Sequence, residues 1–271
     1  MVRVPSFAEV RLEGWDAFEG ATSRILESYQ ARTGAGMGYL SHPLFRGHAD
    51  QRWELTTTLE RFSHKSWSVK GYYRLLLSIA PAIASLTSRP WPLDADAQVD
   101  EGFHGPPPGY EFMIYLRHHS FPSPLLDWTR SPYVAAFFAF APRPASDSDA
   151  VAIFAFREHL GHGKLWPGDG ARVIGLGPYT ITHERHYSQL SEYTICKKPA
   201  GDTYVYCRHD EALQDRVIPQ DALTKLVIPV KERPRFLRKL ELMNIHAYSL
   251  FRNENSLMQT LAYQEIERDD F

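Results

Sequence analysis

In Leu44-Phe45-Arg46-Gly47-His48 a short apolar run delivers an arginine into a glycine. A strand that ends this way brings its backbone close to something, because glycine has no Cβ to hold a neighbour off. An anion is the first candidate for that neighbour. The downstream counterpart is Leu125-Leu126-Asp127-Trp128-Thr129-Arg130-Ser131-Pro132, where an acid, an indole and two hydroxyls precede an alanine- and phenylalanine-rich run that ends at Ala139. Plainer readings stand beside these. Arg46 alone is more often the ion-pair partner of a buried acid than a ligand clamp. Asp127 is equally suited to capping the Thr129 turn, and Trp128 to filling the core. His118 and His119 fit hydrogen-bonded packing at a helix end, and His48 fits an exposed position.

The 271 residues, with 44% hydrophobic and 23% charged, have the composition of a globular protein able to bury a sizeable core. A formal charge of −2 argues against gripping nucleic acid by overall basicity, although a local basic groove is compatible with it. Two cysteines, Cys196 and Cys207, make no disulfide framework and spell no metal cluster. The longest apolar runs are too short to span a bilayer, so no membrane association is expected. Without a charged-then-apolar leader the chain reads as cytoplasmic.

The elements that must position these side chains follow from periodicity. Residues 6–32 read as a strand and then a helix, packed as a lid or flank, and Gly34, Gly36 and Gly38 make a flexible link. That division gives an N-terminal flanking segment, 1–38, and one compact unit, 39–271. Residues 53–62 carry Leu55, Leu59 and Phe62 at helical spacing. Residues 66–86 are helical, with Pro81 starting a new helix or kinking this one. Residues 88–108 form a loop, and 110–119 a further helix. Ser131-Pro132 caps a helix buried through Val134, Ala135, Phe137 and Phe138. Strands are expected over 151–156, 192–198, 203–208 and 225–230, the middle two an antiparallel pair across a turn at 199–202. A glycine-rich loop leads to Gly177, and amphipathic helices cover 232–243 and 254–266.

Phe45-Arg46-Gly47 and the Leu-Leu-Asp-Trp-Thr-x-Ser-Pro run at 125–132 together resemble the FRG domain, a family named for its Phe-Arg-Gly. About ten residues of fixed type recur in order. Trp53, Leu55, Leu59 and Arg61 are similar to the family's Trp-x-Leu and Leu-x-Arg continuation. The family's Gln-His-Tyr-Gly is met here by Arg117-His118-His119-Ser120, so His118 carries over and the glutamine does not. The late pattern Arg-x-x-x-Gln-x-Gly-x-Phe is met by Arg185, Gln189, Ser191 and Tyr193.

The chain also resembles ADP-ribosyltransferases through three signatures in their usual order. Phe45-Arg46-Gly47 looks like the strand whose basic group steadies NAD. Thr129 and Ser131 with Ala135-Ala136-Phe137-Phe138-Ala139 look like the hydroxyl-bearing strand and small-residue helix beside the nicotinamide. Ser191-Glu192-Tyr193 looks like the Asn-Glu-Tyr that opens a late strand in poly(ADP-ribose) polymerases. The resemblance implies an α+β fold with a split antiparallel β-sheet core of ADP-ribosyltransferase type and flanking helices.

It also implies a chemistry. A planar guanidinium suits a diphosphate, since two parallel hydrogen bonds fix orientation as well as charge. Nicotinamide leaves NAD as a neutral molecule, and a carboxylate at the ribose hydroxyl stabilises the positive charge that grows on the ring. Arg46 and Glu192 are the expected catalytic pair. Gly47, His118, Asp127, Trp128, Thr129, Ser131, Tyr133 and Gln189 are the expected NAD-binding residues, and either Gln189 or Glu192 is the late working polar group. NAD is then a substrate and no metal is called for. The implied setting is a bacterial toxin or phage-defence effector modifying a protein or nucleic-acid acceptor, with an antitoxin as a possible partner. A NAD glycohydrolase and a non-catalytic nucleotide-sensing or RNA-binding module are the alternatives.

Overall fold

The computed structural model describes residues 7–33, 41–99, 101–102, 105–144, 147–160, 170–177, 184–213 and 221–267. The Gly34–Gly38 link lies outside them. Among the described residues eight strands form one mixed sheet: β1 (Phe7–Arg11), β2 (Leu44–His48), β3 (Leu126–Thr129), β4 (Ala150–Arg157), β5 (Arg172–Gly175), β6 (Ser191–Ala200), β7 (Thr203–Tyr206) and β8 (Ala222–Pro229). Their order is β1-β8-β4-β2-β3-β6-β5, with β7 also on β6. All pairings are antiparallel except β1 with β8, which is parallel. The fold is thus mixed, with a large and mostly antiparallel sheet and flanking helices.

Each strand alternates its side chains between two faces. Phe45, Val151, Ile153, Ala155, Leu226 and Ile228 meet helices α1 (Trp15–Thr33), α5 (Pro132–Phe140) and α7 (Arg233–Leu242). Between these helices Trp15 meets Phe236 at 5.0 Å and Phe140 stacks on Phe236 at 4.2 Å. The opposite face carries Leu44, Trp128, Ala152, Phe154, Phe156 and Cys196. A separate cluster sets Tyr193 and Ile195 of β6 against α3 (Val69–Thr87) and α4 (Tyr110–His118). Because β4 is buried on both faces, it reads as a continuous apolar run rather than an alternating one.

Several elements differ from the periodicity. The N-terminal segment is a strand and then a helix as expected, but instead of packing as a lid or flank it supplies the sheet edge β1 and buries Trp15 and Phe18 in the core. The helix expected over 53–62 shrinks to α2 (Thr58–Phe62), because Thr57 and Glu60 form a capping box that fixes its start. Phe62 is consequently 78% exposed instead of sharing a face with Leu55. Pro81 lies inside an unbroken α3. Strand β5 falls in what reads as glycine-rich loop. Helices α8 (Ala247–Phe251) and α9 (Glu254–Ala262) follow short caps at His246 and Asn253, so the expected break over 244–252 contains a helix of its own. The short α6 (Arg185–Ser188) leads into β6. The turn between β6 and β7 is as expected, with Gly201 at φ +62°.

Candidate functional site

Strands β2 and β3 meet at a single register pair, Phe45 with Thr129. Beyond it they part, whereas β2 pairs with β4 along its whole length. The opening holds a cavity of about 260 Å³ lined by Phe45, Arg46, Gly47, Arg117, Asp127, Trp128, Thr129, Phe138, Gln189 and Ser191. Arg46 takes the place that a continued ladder would fill: its Nη1 donates to the Asp127 carbonyl at 2.6 Å. Its Nε donates to His48 Nε2 at 3.0 Å. That bond requires a neutral His48, whose Nδ1 then donates to the Trp53 carbonyl at 3.2 Å. Burial, and after it the adjacent Arg46 charge, hold the His48 imidazole down at about 3. His48 is therefore buried and unprotonated, not exposed.

Gly47 explains the tightness of this wall. A Cβ there would stand 1.9 Å from the Ala135 carbonyl oxygen and 2.7 Å from the Ala139 nitrogen of α5. The neighbour the glycine admits is thus a helix backbone rather than an anion. Small residues at Ala135 and Ala139 allow the same approach from the helix side. Ser131 starts α5 by accepting from the Val134 N–H, with Pro132 in the first turn.

Charge in the cleft is unbalanced. Asp127 pairs with Arg117, whose Nε donates to Oδ1 at 2.9 Å and whose Nη2 lies 2.8 Å from Oδ2. Arg46 hydrogen-bonds to no carboxylate among the described residues, so the buried-acid reading of this arginine does not hold. Desolvation pushes the Arg46 guanidinium down to about 10; Asp127 opposes the shift, and Arg117 and Arg61 add to it. Arg46 stays cationic at neutral pH. Arg61 donates to the Thr56 carbonyl at 2.9 Å, and its pKa is lowered by burial and by Arg117.

The remaining expected residues divide. Gln189 is buried on the cavity wall, its Nε2 donating to the Leu250 carbonyl at 3.2 Å and its backbone carbonyl accepting from Thr129 Oγ1 at 2.6 Å. Thr129 itself accepts from the Ser131 N–H, so it caps the turn that Asp127 was a candidate for. Trp128 lines the cleft but lies 4% exposed against Phe156, donating Nε1–H to Thr194 Oγ1. Thr194 meets His209 Nε2 at 2.8 Å. His118, Ser131, Tyr133 and Glu192 are not among the lining residues. His118 meets the Tyr193 hydroxyl at 3.1 Å, and Tyr133 stacks on Trp15 at 6.0 Å. Glu192 stands opposite Trp128 in the β3–β6 ladder and binds Arg130 Nε at 2.5 Å.

Residues 41–148 match the FRG domain. The match supports the FRG family over the segment that supplies Arg46, Gly47, Arg61, Arg117, Asp127 and Thr129. No curated protein and no solved structure matches the chain. The cleft extends beyond the FRG segment, because Gln189, directly after α6, and Ser191 of β6 close it. Arg117 escaped the sequence reading as a site residue. Its signal was the departure from the family's glutamine, ten residues ahead of the aspartate it binds. Among the described residues no group of three or more His, Cys, Asp or Glu could hold a metal ion, and no helix is long and apolar enough to cross a membrane.

Proposed function

We propose that the cleft binds NAD through its diphosphate and that the protein transfers ADP-ribose from NAD to a protein or nucleic-acid acceptor. One observation carries this reading: a desolvated Arg46 guanidinium sits where the sheet opens, beside Arg117, with a single carboxylate between them. Such a guanidinium is suited to two neighbouring phosphate oxygens. The opening between β2 and β3 is the feature that supports an ADP-ribosyltransferase type of core.

In the reaction the bond from ribose C1′ to the pyridinium nitrogen breaks, its electron pair stays on that nitrogen, and nicotinamide leaves neutral. The acceptor's nucleophile bonds to C1′ and gives its proton to a base. Glu192 is the residue proposed to steady the developing ring charge from the start of β6. A bacterial toxin or phage-defence effector acting in the cytoplasm is the setting that accords with FRG membership. The pairing of Glu192 with Arg130 favours a second reading, a module that senses a nucleotide without turning it over.

Labelled NAD separates these readings. For the transferase, nicotinamide is released and label appears on a macromolecule; release without transferred label is the mark of a glycohydrolase. Glu192→Gln is expected to cut turnover by about 100-fold or more while NAD still binds. Arg46→Ala is expected to weaken binding itself by about 100-fold. Equal activity of wild type and both variants removes this site. Absence of nicotinamide release, with tight binding that Arg46→Ala abolishes, establishes the sensor instead.

A further inference from the structure

Taking the cleft to be a nucleotide-diphosphate site, as proposed above, we infer that Arg117 is its second phosphate-binding guanidinium and that Asp127 is the internal counter-ion Arg117 gives up to the ligand. Arg117 comes from the end of α4 and Asp127 from β3, so their hydrogen-bonded ion pair ties a helix to the strand at the mouth of the opening. The same aspartate also anchors Arg46, but through its backbone carbonyl. Two guanidiniums thus converge on one residue from different sides, and only one of them has its charge answered.

The donors left over point the same way. A guanidinium carries five N–H groups. Among the described residues no acceptor takes the Nη2 hydrogens of Arg46 or the Nη1 hydrogens of Arg117, and both side chains line the cavity. Asp127 is the only acid among the lining residues. Arg61 adds a further positive charge within electrostatic reach, with the Glu60 carboxylate beside it. Among the lining residues two guanidiniums stand against one carboxylate, a surplus of positive charge that suits the oxygens of a diphosphate. The Asp127 side chain is 38% exposed and Arg117 18%. The pair therefore lies where water and a ligand reach it, and its exchange for phosphate oxygens trades one charge-assisted pair for another.

The test is calorimetric titration of the full chain with NAD and, separately, with inorganic pyrophosphate, each at low and high salt. Arg117→Gln is expected to weaken both probes by about tenfold and to flatten the dependence of Kd on salt. Arg117→Lys keeps the charge without the fork, and so recovers the salt dependence but only part of the affinity. Asp127→Asn, which still accepts a hydrogen bond from Arg117, is expected to bind pyrophosphate several-fold more tightly, since the competing charge is gone. A pair that merely ties α4 to β3 predicts the reverse: lower stability, with Kd and salt dependence unmoved in Arg117→Gln and Arg117→Lys. That result, or weaker pyrophosphate binding by a folded Asp127→Asn, overturns the inference while leaving the nucleotide reading in place. Wild type that binds neither probe defeats both.

Discussion

Arginines at the cleft and at the outer rim of the same sheet are treated in opposite ways. At the rim Arg52 holds Asp50 with Nη2 at 2.6 Å and Asp147 with Nη1 at 2.8 Å. Arg208 likewise holds Glu54 at 2.6 Å and Asp210 at 2.7 Å. Their carboxylates raise both guanidinium pKa values above the ordinary one. At the cleft burial drives Arg46 down instead, with one acid in attendance. Arginines that fasten loops are saturated with acids; those facing the opening are left short of them. The cleft therefore has to be held by packing, since mutual repulsion of its cations works against it.

The sharpest way to break this contrast is at Gly47. An alanine there meets the Ala135 carbonyl oxygen at 1.9 Å, a backbone atom that moves only if α5 lifts away from β2. Gly47→Ala is expected to cost about 3 kcal/mol or more of stability, beyond the usual range for overpacking because the clash is with backbone. Urea unfolding followed by tryptophan fluorescence reads it. A stability equal to wild type would mean that helix packing does not hold the cleft wall.

How much of this was legible in the sequence depends on which force set the feature. Phe45-Arg46-Gly47 announced a strand and a close approach, and the Ser131-Pro132 cap announced α5, because glycine, serine and proline act locally. What the glycine admits was not legible, since Ala135 lies far along the chain and only the tertiary fold brings it to β2. The periodicity also missed α8, whose start rests on a histidine cap and whose five residues are too few to show a stripe. His48 reads as a surface residue by type; its burial follows from pairing with Arg46, which composition does not encode. The cleft's second arginine was visible only as a mismatch with the family pattern.

Acid titration separates the two regions on one axis. His48 and His209 are both held at about 3 by burial and then by Arg46. In the unfolded chain they titrate near 6.5, so between about 6.5 and 3 the unfolded state binds more protons. Their contribution is complete above pH 6.5 and is lost as pH falls towards 3. The rim acids Asp50, Asp147 and Asp210 lie below their ordinary 3.8 through Arg52 and Arg208, so theirs is lost only below about pH 4. Urea midpoints should begin to fall near pH 6, with a limiting slope of about 1.4 kcal/mol per pH unit for each histidine. The double variant His48→Gln with His209→Gln is expected to flatten that limb, and a limb unchanged by it assigns the acid sensitivity elsewhere.

The smallest expected effect lies at Asp147, which bridges to Arg52 at the rim with 69% of its side chain exposed. Water already solvates both partners there, and Arg52 keeps its three side-chain hydrogen bonds to Asp50 when Asp147 is lost. Asp147→Asn should leave the urea midpoint at pH 7 within measurement error and should not alter NAD binding. Its value is as a counterweight to Asp127→Asn, the same chemical change made on the carboxylate beside the surplus cations. If both variants change ligand affinity alike, the effect is one of net charge over the whole surface. If only Asp127→Asn does, the charge imbalance belongs to the opening between β2 and β3, where field and geometry act on the same ligand atoms.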